Sequence, residues 1–298
     1  MKKRDVRTTR PKKDRNKAQF LSIIKRALKE DIGKGDITTD AVVSADDRAL
    51  GIIFAKEEGV LCGVDIARGV FEQLDATIDF QKQLNDGHLL SPGATIAIVI
   101  GKAAVCLTGE RTALNFLQHL SGIATQTRRF VDAAQGKVKI LDTRKTAPGI
   151  RIIEKYAVRT GGGQNHRFGL YDMVMIKDNH IQIAGSITEA VNRVRKRRTK
   201  RFIEVELKTM AELNEAIALR IDRVMLDNMN LHQIAEAVKR VRDASPETEI
   251  EVSGGVDLDN IAQLASCGAD YVSVGALTHS ARALDIALRM KPLGHKAI

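Results

Sequence analysis

From Gly136 onward, short apolar runs alternate with helical patterns, and this repeat constrains the fold more than any other feature of the chain. The runs fall at 138–141, 173–176, 202–207, 223–226, 249–252 and 271–274. Between them, apolar spacing predicts helices over 151–159, 185–197, 210–219, 230–243 and 257–266. Strands separated by whole helices cannot pair as hairpins, so the repeat implies a parallel sheet. Residues 136–280 are too few for a standard eight-unit barrel of roughly 250 residues. The expected fold is therefore α/β: an incomplete, compact TIM-like barrel, with an open Rossmann-type sheet as the alternative.

The first half follows another grammar. A helix is predicted over 17–30 and is broken by Asp31-Ile32-Gly33-Lys34-Gly35-Asp36. Strands are expected at 49–56 and 95–101, around a helix at 63–73, followed by two helices at 103–119 and 121–135. The domain reading is an α+β sandwich over 18–135, with 281–298 packing back on it, and a barrel over 136–280. The 298-residue chain carries a formal charge of +10, and residues 1–17 hold nine Lys/Arg against Asp5 and Asp14. That segment reads as a disordered basic tail. It lacks interleaved aromatics for base stacking, which argues against a nucleic-acid partner. Arg193 to Arg201 reads as a solvated turn. Neither a membrane-spanning run nor a secretory leader is evident. Cys62, Cys106 and Cys267 match no metal or disulfide spacing. They are read as buried thiols in a reducing, cytoplasmic setting.

In a βα barrel the chemistry lies at the C-terminal strand ends. Those ends here carry Thr143-Arg144-Lys145, then Lys177, Glu206, Asp227, Ser253-Gly254-Gly255 and Val274-Gly275-Ala276. Glycines at the last two ends suit a phosphate, because backbone N–H groups can approach an anion closely. The run Gly161-Gly162-Gly163 leads to His166 and Arg167, and reads as a mobile loop presenting cations. Arg144, Lys145, His166, Arg167 and Lys177 are expected to converge on an anion. Glu206 and Asp227 suit sugar hydroxyls or Mg²⁺, a hard cation. Glu204 shares their strand face and is expected deeper in the barrel, paired with a cation.

Several stretches together resemble the family of quinolinate phosphoribosyltransferases (nicotinate-nucleotide pyrophosphorylase, carboxylating). They are Gly35-Asp36-Ile37-Thr38-Thr39, Glu110-Arg111-Thr112-Ala113-Leu114-Asn115, Ser121-Gly122-Ile123-Ala124-Thr125, Asp142-Thr143-Arg144-Lys145-Thr146, Glu154-Lys155-Tyr156-Ala157-Val158, His166-Arg167, Ile176-Lys177-Asp178-Asn179-His180 and Ser253-Gly254-Gly255. They occur in order across residues ~18–290.

The resemblance implies transfer of phosphoribose from phosphoribosyl pyrophosphate (PRPP) to quinolinate, with decarboxylation to nicotinate mononucleotide in NAD biosynthesis. It implies quinolinate contacts from Arg111, Arg144, His166, Arg167 and Lys177, with Lys145 between the two substrates. Thr143 belongs to the same substrate loop. Glu206 and Asp227 address the ribose and its Mg²⁺, directly or through PRPP. Ser253, Gly254, Gly255, Val274, Gly275 and Ala276 hold the 5′-phosphate. No organic cofactor is implied. Arg111, read as opening a helix of the first half, is supplied across a homodimer interface, and assemblies up to a hexamer are compatible with that. The rival readings are a molybdenum-transport-associated relative of the same fold, an imine-forming barrel enzyme using Lys177 or Lys208, and a nucleic-acid scaffold built on the tail.

Overall fold

The computed structural model describes residues 13–197 and 201–293. The basic tail up to residue 12 and part of the 193–201 cluster therefore lie outside the described residues. The chain opens with α1 (Lys13–Ile32), α2 (Ile37–Val42), β1 (Arg48–Ala55), β2 (Gly59–Val60), α3 (Val64–Leu74), β3 (Asp79–Lys82), β4 (Leu89–Leu90) and β5 (Thr95–Lys102). α4 (Ala103–Ala133), β6 (Lys139–Leu141), α5 (Arg151–Thr160), β7 (Val174–Ile176), α6 (Asp178–Ala184), α7 (Ile187–Lys196) and β8 (Ile203–Leu207) follow. The remainder is α8 (Met210–Ala218), β9 (Arg223–Asp227), α9 (Leu231–Ala244), β10 (Glu249–Ser253), α10 (Ile261–Ala265), β11 (Tyr271–Ser273), α11 (Ala276–His279) and β12 (Ile286–Leu293).

Two compact units result. One holds Lys13–Arg128, Thr146–Gly162 and Ser280–Leu293; the other holds Arg129–Lys145 and Gly163–His279. The first is built on an antiparallel sheet in the order β12-β1-β5-β3. β12 is an edge strand, which lets it carry Pro292. Residues 146–162 lie inside the stretch 136–280 but group with this first unit. Their helix α5 packs on α1, with Phe20 edge-on to Tyr156 and Arg26 Nη2 donating to Gly149 O at 2.9 Å.

The break expected at 31–36 is also a helix start. Asp36 Oδ1 accepts from Thr39 N at 3.0 Å and its Oδ2 from Thr39 Oγ1 at 2.7 Å, which caps α2. The two helices expected at 103–119 and 121–135 are one continuous helix, α4. Ser121-Gly122 looks like a breaker, but packing uses both residues. Ser121 Oγ accepts from Cys62 N at 2.9 Å, and a Cβ on Gly122 would collide with the Arg282 carbonyl. Arg111 consequently lies well inside a helix and does not open one.

The second unit is a six-stranded parallel sheet in the order β6-β11-β10-β9-β8-β7. Successive strands are neighbours, and the last pairs with the first. The result is a barrel with one open seam, between β6 and β7, which decides against the Rossmann alternative. Gln164 enters that seam beside Leu141, with its N donating to Ile140 O at 2.8 Å. The glycine-rich segment is thus pinned to β6, and does not form the free loop expected. Helices begin where a side chain takes up an orphan N–H: Ser186 for α7, Thr209 for α8 and Asn230 for α9. Outward strand residues such as Val205, Leu207, Val224 and Leu226 are buried. Cys62 and Cys106 are buried as expected, whereas Cys267 is only partly so.

Candidate active site at the barrel mouth

The inward faces of the strands are charged at several levels. Period-two alternation places Glu204 and Glu206 together on β8, Arg223 and Asp227 on β9, and Glu249, Glu251 and Ser253 on β10. Arg223 anchors the interior. Its guanidinium contacts Glu249 Oε2 at 2.6 Å and Glu251 Oε2 at 3.0 Å, and stacks 4.2 Å from the Tyr271 ring centroid. Burial opposes the arginine's charge, but Glu204, Glu251 and Glu249 outweigh it and raise its pKa.

His166 closes this network from above. Its Nε2 lies 3.0 Å from Glu204 Oε2 and 3.4 Å from Glu251 Oε2, both carboxylates being fully buried. Glu204 is therefore deep in the barrel and paired with a cation, as its position on the strand face predicts. Burial alone would depress the imidazolium; the charge of Glu251 and contacts with both carboxylates push it up to about 10. One contact opposes full protonation: Arg167 N–H points at Nδ1 at 2.7 Å. Both arrangements keep a proton on Nε2, facing the carboxylates. Burial and Glu251 raise the Glu204 pKa, while His166 and Arg223 overcome burial to lower that of Glu251. The three ligand atoms lie within 4.8 Å of one another, close enough for a metal. Here the Nε2 proton and Arg223 supply the positive charge instead.

The segment carrying His166 is fixed by Asp142, a buried residue just past β6. Its carboxylate accepts from His166 N at 2.9 Å and Asn165 Nδ2 at 2.5 Å. Arg167 follows, and its pKa is lowered first by burial and then by the like charge of Arg144. Two guanidinium groups that repel one another at a partly buried edge make a place for an anion. Lys145 stands beside Gly275, where an added Cβ would come within 3.1 Å of its Cδ. The Lys145 turn is tied by Thr143 Oγ1, which accepts from Lys145 N at 3.0 Å. Thr278 Oγ1 donates to Lys145 O at 2.8 Å.

Lys177 forms an ion pair with Glu206. Lys208, beyond the same strand end, pairs with Asp178 at 2.8 Å. That bond and the charges of Asp178, Glu206 and Asp227 raise the Lys208 pKa. An imine-forming lysine needs the opposite shift. Asp227 accepts from Asn228 Nδ2 at 2.8 Å. Ser253, Gly254 and Gly255 end β10; Val274, Gly275 and Ala276 join β11 to α11. Arg111, in the other unit, is exposed on α4.

Around the barrel the strand ends therefore read, from one side of the seam to the other, Arg144-Lys145, Gly275, Ser253–Gly255, Asp227, Glu206 and Lys177. Sequence reasoning passed over Glu251, Arg223 and Asn228. For the first two the signal was present: a charged residue on the inward register of an otherwise apolar strand.

Residues 36–121 match the family described as quinolinate phosphoribosyl transferase, N-terminal domain, and 123–289 its C-terminal domain. A probable nicotinate-nucleotide pyrophosphorylase [carboxylating] of Synechocystis sp. is 44% identical over 265 residues, covering 88% of this chain and 90% of that relative. The nicotinate-nucleotide pyrophosphorylase [carboxylating] of Mycobacterium leprae is 44% identical over 269 residues, covering 89% and 95%. The crystal structure of NadC from Streptococcus pyogenes superposes with a TM-score of 0.88 at 42% identity, covering 93% of this chain and 98% of that one.

Proposed function

The chain belongs to the quinolinate phosphoribosyl transferase family, and we infer that its barrel mouth divides the two substrates by their charge chemistry. The enzyme transfers the phosphoribosyl group of PRPP to quinolinate with loss of CO₂, giving nicotinate mononucleotide and pyrophosphate for pyridine nucleotide biosynthesis. The observation that carries the division is the spatial order of the strand ends. Glycine turns lie next to each other, the two acids lie next to each other, and cations border the seam.

Quinolinate is assigned to the seam side. Arg144 and Arg167 each offer a planar fork that matches a carboxylate, and Lys177 adds a point charge. His166 is the polar floor beneath them, and Lys145 stands between the two substrates. PRPP is assigned to the opposite side. Glu206 and Asp227 take the ribose hydroxyls, with Thr143 holding the substrate loop. Ser253–Gly255 and Val274, Gly275 and Ala276 take the 5′-phosphate. Two carboxylates on neighbouring strands also suit Mg²⁺ brought by PRPP, with hard oxygen ligands for a hard cation. When bound, Mg²⁺ supplies charge neutralisation for the departing pyrophosphate.

The residues then have few tasks, all electrostatic or positional. The seam-side cations hold the pyridine nitrogen facing C1′ of the ribose. As the C1′–O bond to pyrophosphate breaks, that nitrogen forms the new bond and becomes cationic. The adjacent carboxylate then leaves as CO₂, its electron pair staying on the ring carbon beside the cationic nitrogen. That carbon finally takes up a proton.

Part of the first unit's surface supports a homodimer. Ile37 and Val42 on α2 are 85% and 76% exposed, apolar area that a second copy would cover. In that assembly Arg111 of the partner subunit completes the dicarboxylate side, and a hexamer would repeat the contact. Among the described residues no helix is long and apolar enough to cross a membrane. The three free thiols fit a reducing cytoplasm.

The test is incubation with quinolinate, PRPP and Mg²⁺, followed by mass detection of nicotinate mononucleotide. Nicotinate is run in parallel. Turnover of nicotinate in place of quinolinate would overturn the dicarboxylate assignment.

A further inference from the structure

Asn228 touches both halves of the side assigned to PRPP. It follows Asp227 at the end of β9 and adopts φ 57°, the left-handed region, which asparagine tolerates better than most residues. Three contacts explain why the chain bends there. Its backbone N donates to Ser253 O at 2.9 Å, extending the β9–β10 ladder one step past the Asp227–Ser253 pair. Its Nδ2 donates to Asp227 Oδ2 at 2.8 Å. Its carboxamide also lies against the α-carbon of Gly254, where an added Cβ would come within 2.5 Å of Asn228 Cγ. Gly254 itself has φ 94°, so both sides of the contact are left-handed turns.

We propose that Asn228 is a positioning residue for PRPP, setting the rotation of the Asp227 carboxylate and the seat of the Gly254 turn with one side chain. The donor occupies Oδ2 and fixes the carboxylate plane, so that Oδ1 is presented to the sugar or its metal. The carboxamide oxygen end supports the glycine turn from beneath. The distance between the ribose-binding acid and the 5′-phosphate turn is thereby set by a single planar group of constant width. The side chain is exposed, so its hydrogen bond adds little to stability. Its contribution is to geometry. The proposal rests on the assignment of Asp227 and Ser253–Gly255 to PRPP.

Two variants test it. Asn228→Gly keeps the left-handed backbone at no steric cost and removes the side chain. Asn228→Asp keeps the shape and removes the donor. Both are expected to raise the KM for PRPP and the Mg²⁺ concentration for half-activation by about tenfold, the scale of one hydrogen bond to a charged group. The quinolinate KM should stay within about twofold, and the Tm of Asn228→Gly should stay within a few degrees. A purely structural role predicts no such split between substrates. Wild-type PRPP kinetics in both variants, or an equal rise in both KM values, overturns the proposal. Asp227→Asn is measured alongside. If it impairs PRPP use while the Asn228 variants are normal, only the positioning role falls. If it too leaves PRPP and Mg²⁺ dependence unchanged, the underlying assignment falls and takes the proposal with it.

Discussion

Arg167 and His166 are adjacent in sequence and do opposite things. The Arg167 pKa is lowered by burial and by Arg144, against the opposing charges of Glu204 and Asp172, and an anion bound beside it would favour its charged form. Arg167→Ala should lower kcat/KM for quinolinate by roughly 10- to 100-fold, the loss of a charge-assisted contact, with PRPP KM little changed. Steady-state kinetics with each substrate varied checks this. His166 faces inward, and its charge is a stability matter. Its pKa is raised from an ordinary 6.5 to about 10, so the stabilisation is complete below the lower value and drains away as pH rises toward the higher. Urea unfolding across that range should show stability falling with pH. In His166→Gln this fall should be shallower, and the variant should be less stable by about 3 kcal/mol or more near neutrality, since Glu204 and Glu251 lose a buried cation.

Among the elements, α4 is the instructive one. A glycine inside a helix normally costs about 1 kcal/mol relative to alanine, so Gly→Ala should stabilise. At Gly122 the sign should reverse. A Cβ there meets the Arg282 carbonyl, which is backbone and cannot swing away. Gly122→Ala should destabilise by about 1–3 kcal/mol, the usual cost of overpacking, with a matching fall in Tm by calorimetry. The same contact explains why local reading splits α4 into two helices: the residue that closes the packing is one whose intrinsic preference is against helix. The barrel strands give the converse case. They are three to five residues long, yet their apolar runs sit between helices of clear period, so their positions were legible.

For the whole molecule, the proposed homodimer makes the strongest demand. If Arg111 acts across an interface, Arg111→Ala and Arg144→Ala dimers should each be nearly inactive, while their mixture should regain activity. Random exchange of subunits leaves roughly a quarter of wild-type activity, because half the dimers then carry one intact site. No recovery after verified exchange would place Arg111 outside the partner's site. Sedimentation measurements set the assembly size independently.

The repeat of strand and helix, the charged strand ends, the glycine turns and the family were all determined by the sequence, because each depends on residue type and spacing along one stretch of chain. Glu204 could even be placed inside the barrel by its two-residue offset from Glu206. Tertiary structure alone decided the rest. Where the barrel opens depends on which strands pair, and pairing is a long-range property. The seam between β6 and β7 then puts the cationic ends on one side and the acids and glycines on the other. Likewise, the balance of Glu204, Glu251, Arg223 and His166 exists only because residues far apart in sequence are buried together, where an unpaired charge would be too costly to keep.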